Sequence, residues 1–207
     1  MAKLGFTHND FRVFRIEGFS ARMGEIHARI RPRLLRLGDE LAPELGRRLH
    51  MEFFPHVAKH ARRTVNPPPE TWAAFGPSPR GYKRYGYLAL CVSAAGLHAR
   101  AVVKPEADGR LEMARRIEAE AAQLRRKLGF TPIARYDNWD FASMPRESHA
   151  DADLFGEVGR SLRRKTTTLD VGFGWPVADA VRLDRAELID AFSELEPLYR
   201  IVRSVAQ

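Results

Sequence analysis

The stretch from Tyr82 to Lys104 constrains the fold most. Two runs of strand-forming residues flank Ala94-Ala95-Gly96, and in the second run Leu97, Ala99, Ala101 and Val103 alternate with His98, Arg100, Val102 and Lys104. Successive side chains of a strand point to opposite faces, so a period of two on either side of a short turn predicts an antiparallel hairpin. Helical and strand patterns elsewhere are interspersed without a regular βαβ repeat. The expectation is therefore an α+β fold rather than a doubly wound parallel sheet.

Helical periodicity supplies the cover for such a sheet. Met23, Ile26, Ile30, Leu34, Leu37, Leu41 and Leu45 recur at spacings of three and four behind a potential cap at Ser20. One face of a helix results, and Pro32, Gly38 and Pro43 predict two consecutive helices with a break near Gly38-Asp39. Leu111, Ala114, Ile117, Ala121, Leu124 and Leu128 mark another helix, with Gly129 as its left-handed stop. Strands are expected within Phe130 to Phe141 and Thr166 to Val177, and helices over Asp151 to Arg164 and Asp184 to Val205, the last interrupted at Pro197. The apolar strip Phe6, Phe11, Val13, Phe14 and Ile16 reads as a short helix or turn followed by a strand. A short helix is expected between His50 and Val65, ended by Asn66-Pro67-Pro68-Pro69, because consecutive prolines remove donors and force extended geometry. The assembled expectation is one domain over residues 1–207: an antiparallel sheet around the hairpin, covered by the Leu111 to Leu128 helix and the amino-terminal helical segment.

An apolar fraction of 44% with 29% charged residues excludes disorder and collagen-like repetition as defaults. No extended apolar stretch follows Lys3, so the start does not read as a secretory signal. The longest apolar run, Tyr87 to Ala95, is about half the ~20 residues that a membrane-spanning helix needs, so no membrane association is expected. Cys91 has no partner for an intramolecular disulfide, which fits a reducing compartment and a cytoplasmic location.

The net charge of +8 comes from 28 Arg and 6 Lys set against 26 acidic residues. Its location says more than its size. Between Arg47 and Arg84 stand Arg47, Arg48, Lys59, Arg62, Arg63, Arg80, Lys83 and Arg84, opposed only by Glu52 and Glu70. Clustered positive charge concentrates anions nearby, so this window is where a phosphate-bearing or nucleic-acid partner would be met.

The run Phe53-Phe54-Pro55-His56-Val57-Ala58-Lys59-His60-Ala61-Arg62-Arg63-Thr64-Val65-Asn66-Pro67-Pro68, followed by Thr71-Trp72, Phe75 and Arg80-Gly81-Tyr82-Lys83, resembles the signature stretch of the bacterial YktB-like family of uncharacterised proteins. The resemblance implies a cytosolic, single-domain α+β protein and brings no catalytic residues with it.

Side chains must carry the chemical argument. Lys59, His60, Arg62 and Arg63 offer a fork of donors suited to phosphate or carboxylate, with Thr64 and Asn66 as neutral donors and Trp72 as a nearby rigid ring. His56 and His60, four apart, would share a helical face, the spacing of zinc-binding helices. Val57 stands where the catalytic Glu of that motif belongs, and neighbouring cations oppose a bound metal, so neither metal nor cofactor is expected. Arg80-Gly81-Tyr82-Lys83-Arg84-Tyr85-Gly86-Tyr87 interleaves aromatics with cations as single-stranded nucleic-acid platforms do, although Lys83 and Arg84 break its likeness to the RNA-recognition strand motif. Asp137 and Asp140 place two carboxylates three apart, and Gly172 and Gly174 permit close backbone approach.

Two functions follow. The first is a binding module for phosphorylated or nucleic-acid ligands through Lys59, His60, Arg62, Arg63, Asn66, Trp72, Arg80, Tyr82 and Lys83. The second is an enzyme acting on a small anionic metabolite, with His56 or His60 as acid or base and arginines as substrate clamps. A third reading makes the arginines a solvated surface. Convergence of Arg62, Arg63 and Arg80 on one concavity, with His60 in reach, is the expectation that separates a site from a charge run.

Overall fold

The computed structural model describes residues 2–61, 63–128, 133–136, 139, 141, 143–145, 147–148 and 153–203. The chain opens with α1 (His8–Arg12) and a 3-10 turn (Val13–Arg15). Thr7 N donates to Asp10 Oδ2 at 2.7 Å, which holds the first turn, and Arg33 Nη1 meets the same buried carboxylate at 2.5 Å. Phe11, Val13 and Phe14 enter the core from these turns, and the strand expected after them does not form.

Next come α2 (Phe19–Glu25), a π turn (Ile26–Ile30) and α3 (Arg31–Leu49). The cap is Gly18, with φ of 80°, rather than Ser20. The predicted break at Gly38 is absent: Gly38 is buried inside α3, its missing Cβ leaving room for Pro55. The irregularity lies instead at the π turn, directly ahead of Pro32, whose missing N–H interrupts the hydrogen-bond ladder of an otherwise continuous helical run.

Among the described residues the strands are β1 (Phe54–Val57), β2 (Glu70–Gly76), β3 (Tyr87–Ser93), β4 (Gly96–Val103), β5 (Ile133–Arg135), β6 (Glu147–Ser148) and β7 (Leu169–Pro176). They form one sheet in the order β1-β2-β3-β4-β7-β5-β6, and every strand pairing is antiparallel. The predicted hairpin is β3–β4, with Cys91 opposite His98 and Leu90 opposite Ala99. β1 corrects the helix expected after His50: Phe54, Pro55, His56 and Val57 extend along β2 as an edge strand, where a proline breaks no central ladder.

The helix expected over Leu111 to Leu128 is two, α4 (Arg110–Ala119) and α5 (Ala121–Leu128), separated at Glu120. Gly129 lies outside the described residues. α6 (Leu154–Leu162), the short α7 (Val177–Ala180), α8 (Arg185–Glu194) and α9 (Glu196–Val202) complete the chain, and Pro197 begins α9 as the interruption predicted. α3 packs on β1 and β2, and α9 reaches β3 and β4; α4 packs mainly on α6 and α9. Leu88, Leu90, Val92, Leu97, Ala99, Ala101, Val103, Val171 and Phe173 face these helices in the main core. The other sheet face carries a smaller cluster of Ala74, Tyr87, Ala89, Cys91 and Val102, with Trp72 and Tyr82 packed against it. The fold is α+β with an antiparallel sheet, and no helix among the described residues is long and apolar enough to cross a membrane.

Candidate ligand site on the sheet face opposite the core

Alternation places Glu70, Trp72 and Ala74 of β2, Cys91 and Ser93 of β3, His98, Arg100 and Val102 of β4 and Asp170, Gly172 and Gly174 of β7 on this second face. Its centre is buried and polar. Arg100, 1% exposed, bonds Asp170 Oδ2 at 3.2 Å and also pairs with Glu70, while its guanidinium lies 4.6 Å from the Tyr136 ring centre. His98 is fully buried between Ser93 Oγ at 3.0 Å and the Tyr136 hydroxyl at 3.3 Å. Burial, reinforced by Arg100, pushes the His98 pKa well below its ordinary value, so it is a neutral imidazole. The Cys91 thiol is pushed far up by burial despite Arg100, which leaves it without thiolate character. Trp139 packs 4.7 Å from His98 and 5.2 Å from Tyr136 by ring centres, closing this centre from above.

The margin beside β2 is open and cationic. His60 adopts a left-handed backbone, φ 50°, which costs a non-glycine residue of the order of 1 kcal/mol. That turn brings its ring edge-on to Trp72 at 5.4 Å and its Nε2 to 3.0 Å from the buried Thr71 hydroxyl. Lys104 Nζ stands 5.5 Å over the Trp72 ring, and Trp72 Nε1 donates to the Tyr82 hydroxyl at 3.2 Å. The His60 pKa is lowered to about 4, first by burial and then by the positive charges of Arg63, Lys83, His27 and Arg31.

The sequence-derived candidates divide accordingly. His60 meets Trp72 and Trp72 meets Tyr82, and the charges of Arg63 and Lys83 act on His60. Lys59 and Asn66 are exposed on the same loop, where Arg63 Nη1 reaches the Asn66 carbonyl at 3.4 Å. Arg80 is exposed on the loop after β2, its backbone bonded to Ser78. Arg62 lies outside the described residues, as do Asp137 and Asp140. His56 sits on β1, stacked 4.8 Å from Tyr82 with Nε2 against the Ser78 carbonyl at 2.9 Å, so it does not share a helical face with His60. Among the described residues no three His, Cys, Asp or Glu side chains group as a metal site. Sequence reasoning missed His27, Arg31 and Lys104 as neighbours of the basic loop, and it missed the Glu70–Arg100–Asp170 triad. The one available signal was the alternation that puts Arg100 and Lys104 on the same face.

The architecture thus defines a class: an α+β protein whose antiparallel sheet carries helices on one face and a polar centre on the other, with a cationic, aromatic margin at the start of β2. The chain belongs to the family described as Domain of unknown function (DUF1054), which it matches over residues 6–199, in keeping with the YktB-like resemblance of its signature stretch. It is 34% identical over 207 residues to a UPF0637 protein of Lysinibacillus sphaericus, covering 98% of this chain and 97% of that one. It is 29% identical over 215 residues to the UPF0637 protein RBAM_014510 of Bacillus velezensis, covering all of both. With the UPF0637 protein BLi01683/BL05149 of Bacillus licheniformis the identity reaches 52% over 90 residues, 44% of this chain and 43% of that one.

Proposed function

We propose that this protein is a cytoplasmic binding module for a phosphate-bearing ligand, held on the cationic margin around His60 and Trp72. The observation that carries the reading is the arrangement of the basic loop: Arg31 holds the Ala58 carbonyl ahead of His60, Arg63 closes the turn onto the His60 carbonyl and meets no carboxylate among the described residues, and the His60 ring stands edge-on to a Trp72 ring that lies under Lys104. Positive charge gathered without equal negative charge is electrostatically costly in the empty protein, and a bound anion relieves it. Guanidinium groups present paired N–H donors to phosphate oxygens, and the half-buried setting reduces the screening that weakens such contacts in water.

The enzymatic alternative draws less support. A histidine whose pKa is near 4 is a weak base at neutral pH, and its Nε2 is engaged by Thr71. His56 Nε2 is likewise engaged, by the Ser78 carbonyl.

Calorimetric titration with inorganic phosphate, a 5′-mononucleotide and tRNA tests the reading. Arg63→Ala and Lys83→Ala should each weaken binding by roughly tenfold while leaving the melting temperature within about 4 °C, since exposed charges contribute only ~0 to 1 kcal/mol to stability. Affinity should fall as salt rises. Wild-type protein that binds none of the probes, or variants that bind as the wild type does, would refute the proposal.

A further inference from the structure

We propose that the site extends onto the amino-terminal helix, with His27 and Arg31 as ligand-binding residues, and that its ligand is a small phosphomonoester rather than a nucleic-acid strand. The inference rests on the anion-site reading above and narrows it.

Arg31 differs from its neighbours on the same helix. Arg29 meets Glu25 and Asp10, Arg33 meets Asp10, and Arg36 meets Glu40. Arg31 meets no carboxylate among the described residues: its Nη1 donates to the Ala58 carbonyl at 3.2 Å, immediately ahead of Lys59 and His60. That one bond leaves most of its N–H donors for another acceptor. Arg22 performs the matching task at the far end of the loop, donating from Nη1 to the Pro68 carbonyl at 3.3 Å and from Nε to the Ile16 carbonyl at 2.8 Å. The loop that carries Lys59, His60 and Arg63 is therefore tied at both ends to the amino-terminal segment by guanidinium–carbonyl bonds.

The π turn Ile26–Ile30 explains how this helix reaches the loop. Such a turn holds one residue more than an α turn, which rotates everything after it by about 100° relative to what precedes it. Remove that residue and Arg31 would point elsewhere than at Ala58. His27, exposed within the turn, stands four residues before Arg31 and so on about the same side of the helix. The Arg31–Ala58 bond thus sets the helix side that carries His27 and Arg31 against the loop that carries His60 and Arg63.

The second basic run cannot continue that space into a strand-binding track. Lys83 is partnered by Glu106 at 3.9 Å and Arg84 by Asp108 at 2.7 Å, so negative charge accompanies the cations there. The aromatic platforms are spent as well. Tyr87 is 1% exposed, and Tyr82 is held between His56, stacked at 4.8 Å, and the Tyr87 ring at 5.0 Å. Strand binders need successive open ring faces along an uninterrupted positive groove. A compact dianion needs only a few convergent donors, and guanidinium forks with an imidazole N–H satisfy three phosphate oxygens.

The test is titration of the full chain with inorganic phosphate, a 5′-mononucleotide and a single-stranded oligonucleotide lacking a terminal phosphate, with melting curves for every variant. Arg31→Gln should weaken mononucleotide binding by roughly tenfold or more, and His27→Ala by about threefold, whereas Arg125→Ala on α5 should have no effect. Arg31→Lys keeps the charge and should recover part of the loss. Because His27 is exposed, its variant keeps the result interpretable if Arg31→Gln loosens the loop. Mononucleotide binding that survives in both variants but is lost in Arg63→Ala would overturn this inference and leave the anion-site reading standing. Oligonucleotide binding tighter than mononucleotide binding would overturn the ligand class alone. Absence of binding by every probe would remove both.

Discussion

Arg100→Met should be the most destabilising single change on the sheet face opposite the core. Arg100 is 1% exposed, and its guanidinium lies between the Glu70 and Asp170 carboxylates, which are themselves largely shielded, beneath the Tyr136 ring. Methionine replaces much of the side-chain volume, so the cavity contribution is small. What remains is a pair of shielded carboxylates without a counter-charge, and breaking a buried ion pair costs about 3–5 kcal/mol. At roughly 2–4 °C per kcal/mol for a chain of this size, the melting temperature should fall by about 6–20 °C in calorimetry or circular dichroism. The combined variant Glu70→Gln, Arg100→Met, Asp170→Asn should recover most of the stability, because it leaves no unpaired charge behind. A loss below 1 kcal/mol for Arg100→Met, or a combined variant no more stable than the single one, would show that the triad is not an electrostatic unit and refute the reasoning.

Two further outcomes follow from the same structure. His60 stays neutral in the folded chain down to about pH 4 while an unfolded histidine protonates near 6.5; the unfolded state therefore binds more protons in that window, and stability should fall as pH drops from about 6.5 to about 4 and then level off. With solvent screening of a half-buried ring the loss is about 1–2 kcal/mol, and it should be missing from the pH profile of His60→Gln in urea unfolding. Gly172→Ala should cost about 1–3 kcal/mol, because a Cβ there meets the Ala99 carbonyl oxygen on the neighbouring strand, and a wild-type melting temperature would show that β7 has room to shift.

The hairpin, the apolar stripes of the helices and the α+β class were legible because each rests on a periodicity that a single element imposes. His50 to Val65 was misread for a physical reason: half-apolar residues around Pro55 fit a short helix or an edge strand equally, and only pairing with β2 decides between them. Gly38 looked like a break because glycine is a poor helix former, yet close packing of Pro55 against α3 uses the missing side chain. Charge and composition singled out the basic loop and Trp72 as candidates. Arg31 was not, since an arginine on a helix reads as solvated until the π turn aims it at Ala58. The buried triad escaped for a related reason. A half-covered antiparallel sheet turns its polar side chains to water, and nothing local in His98 or Arg100 announces that Tyr136 and Trp139 close over them.

The most direct measurement of the central claim is the titration of the His60 imidazole by NMR, with and without inorganic phosphate. The account predicts a midpoint near 4 in the free protein, because burial and then the neighbouring charges, Arg63 first, disfavour the imidazolium, and a clear upward shift when a phosphate dianion binds beside the ring. A midpoint near 6.5 that phosphate does not move would mean that the charges do not converge on His60 and that no anion site exists there.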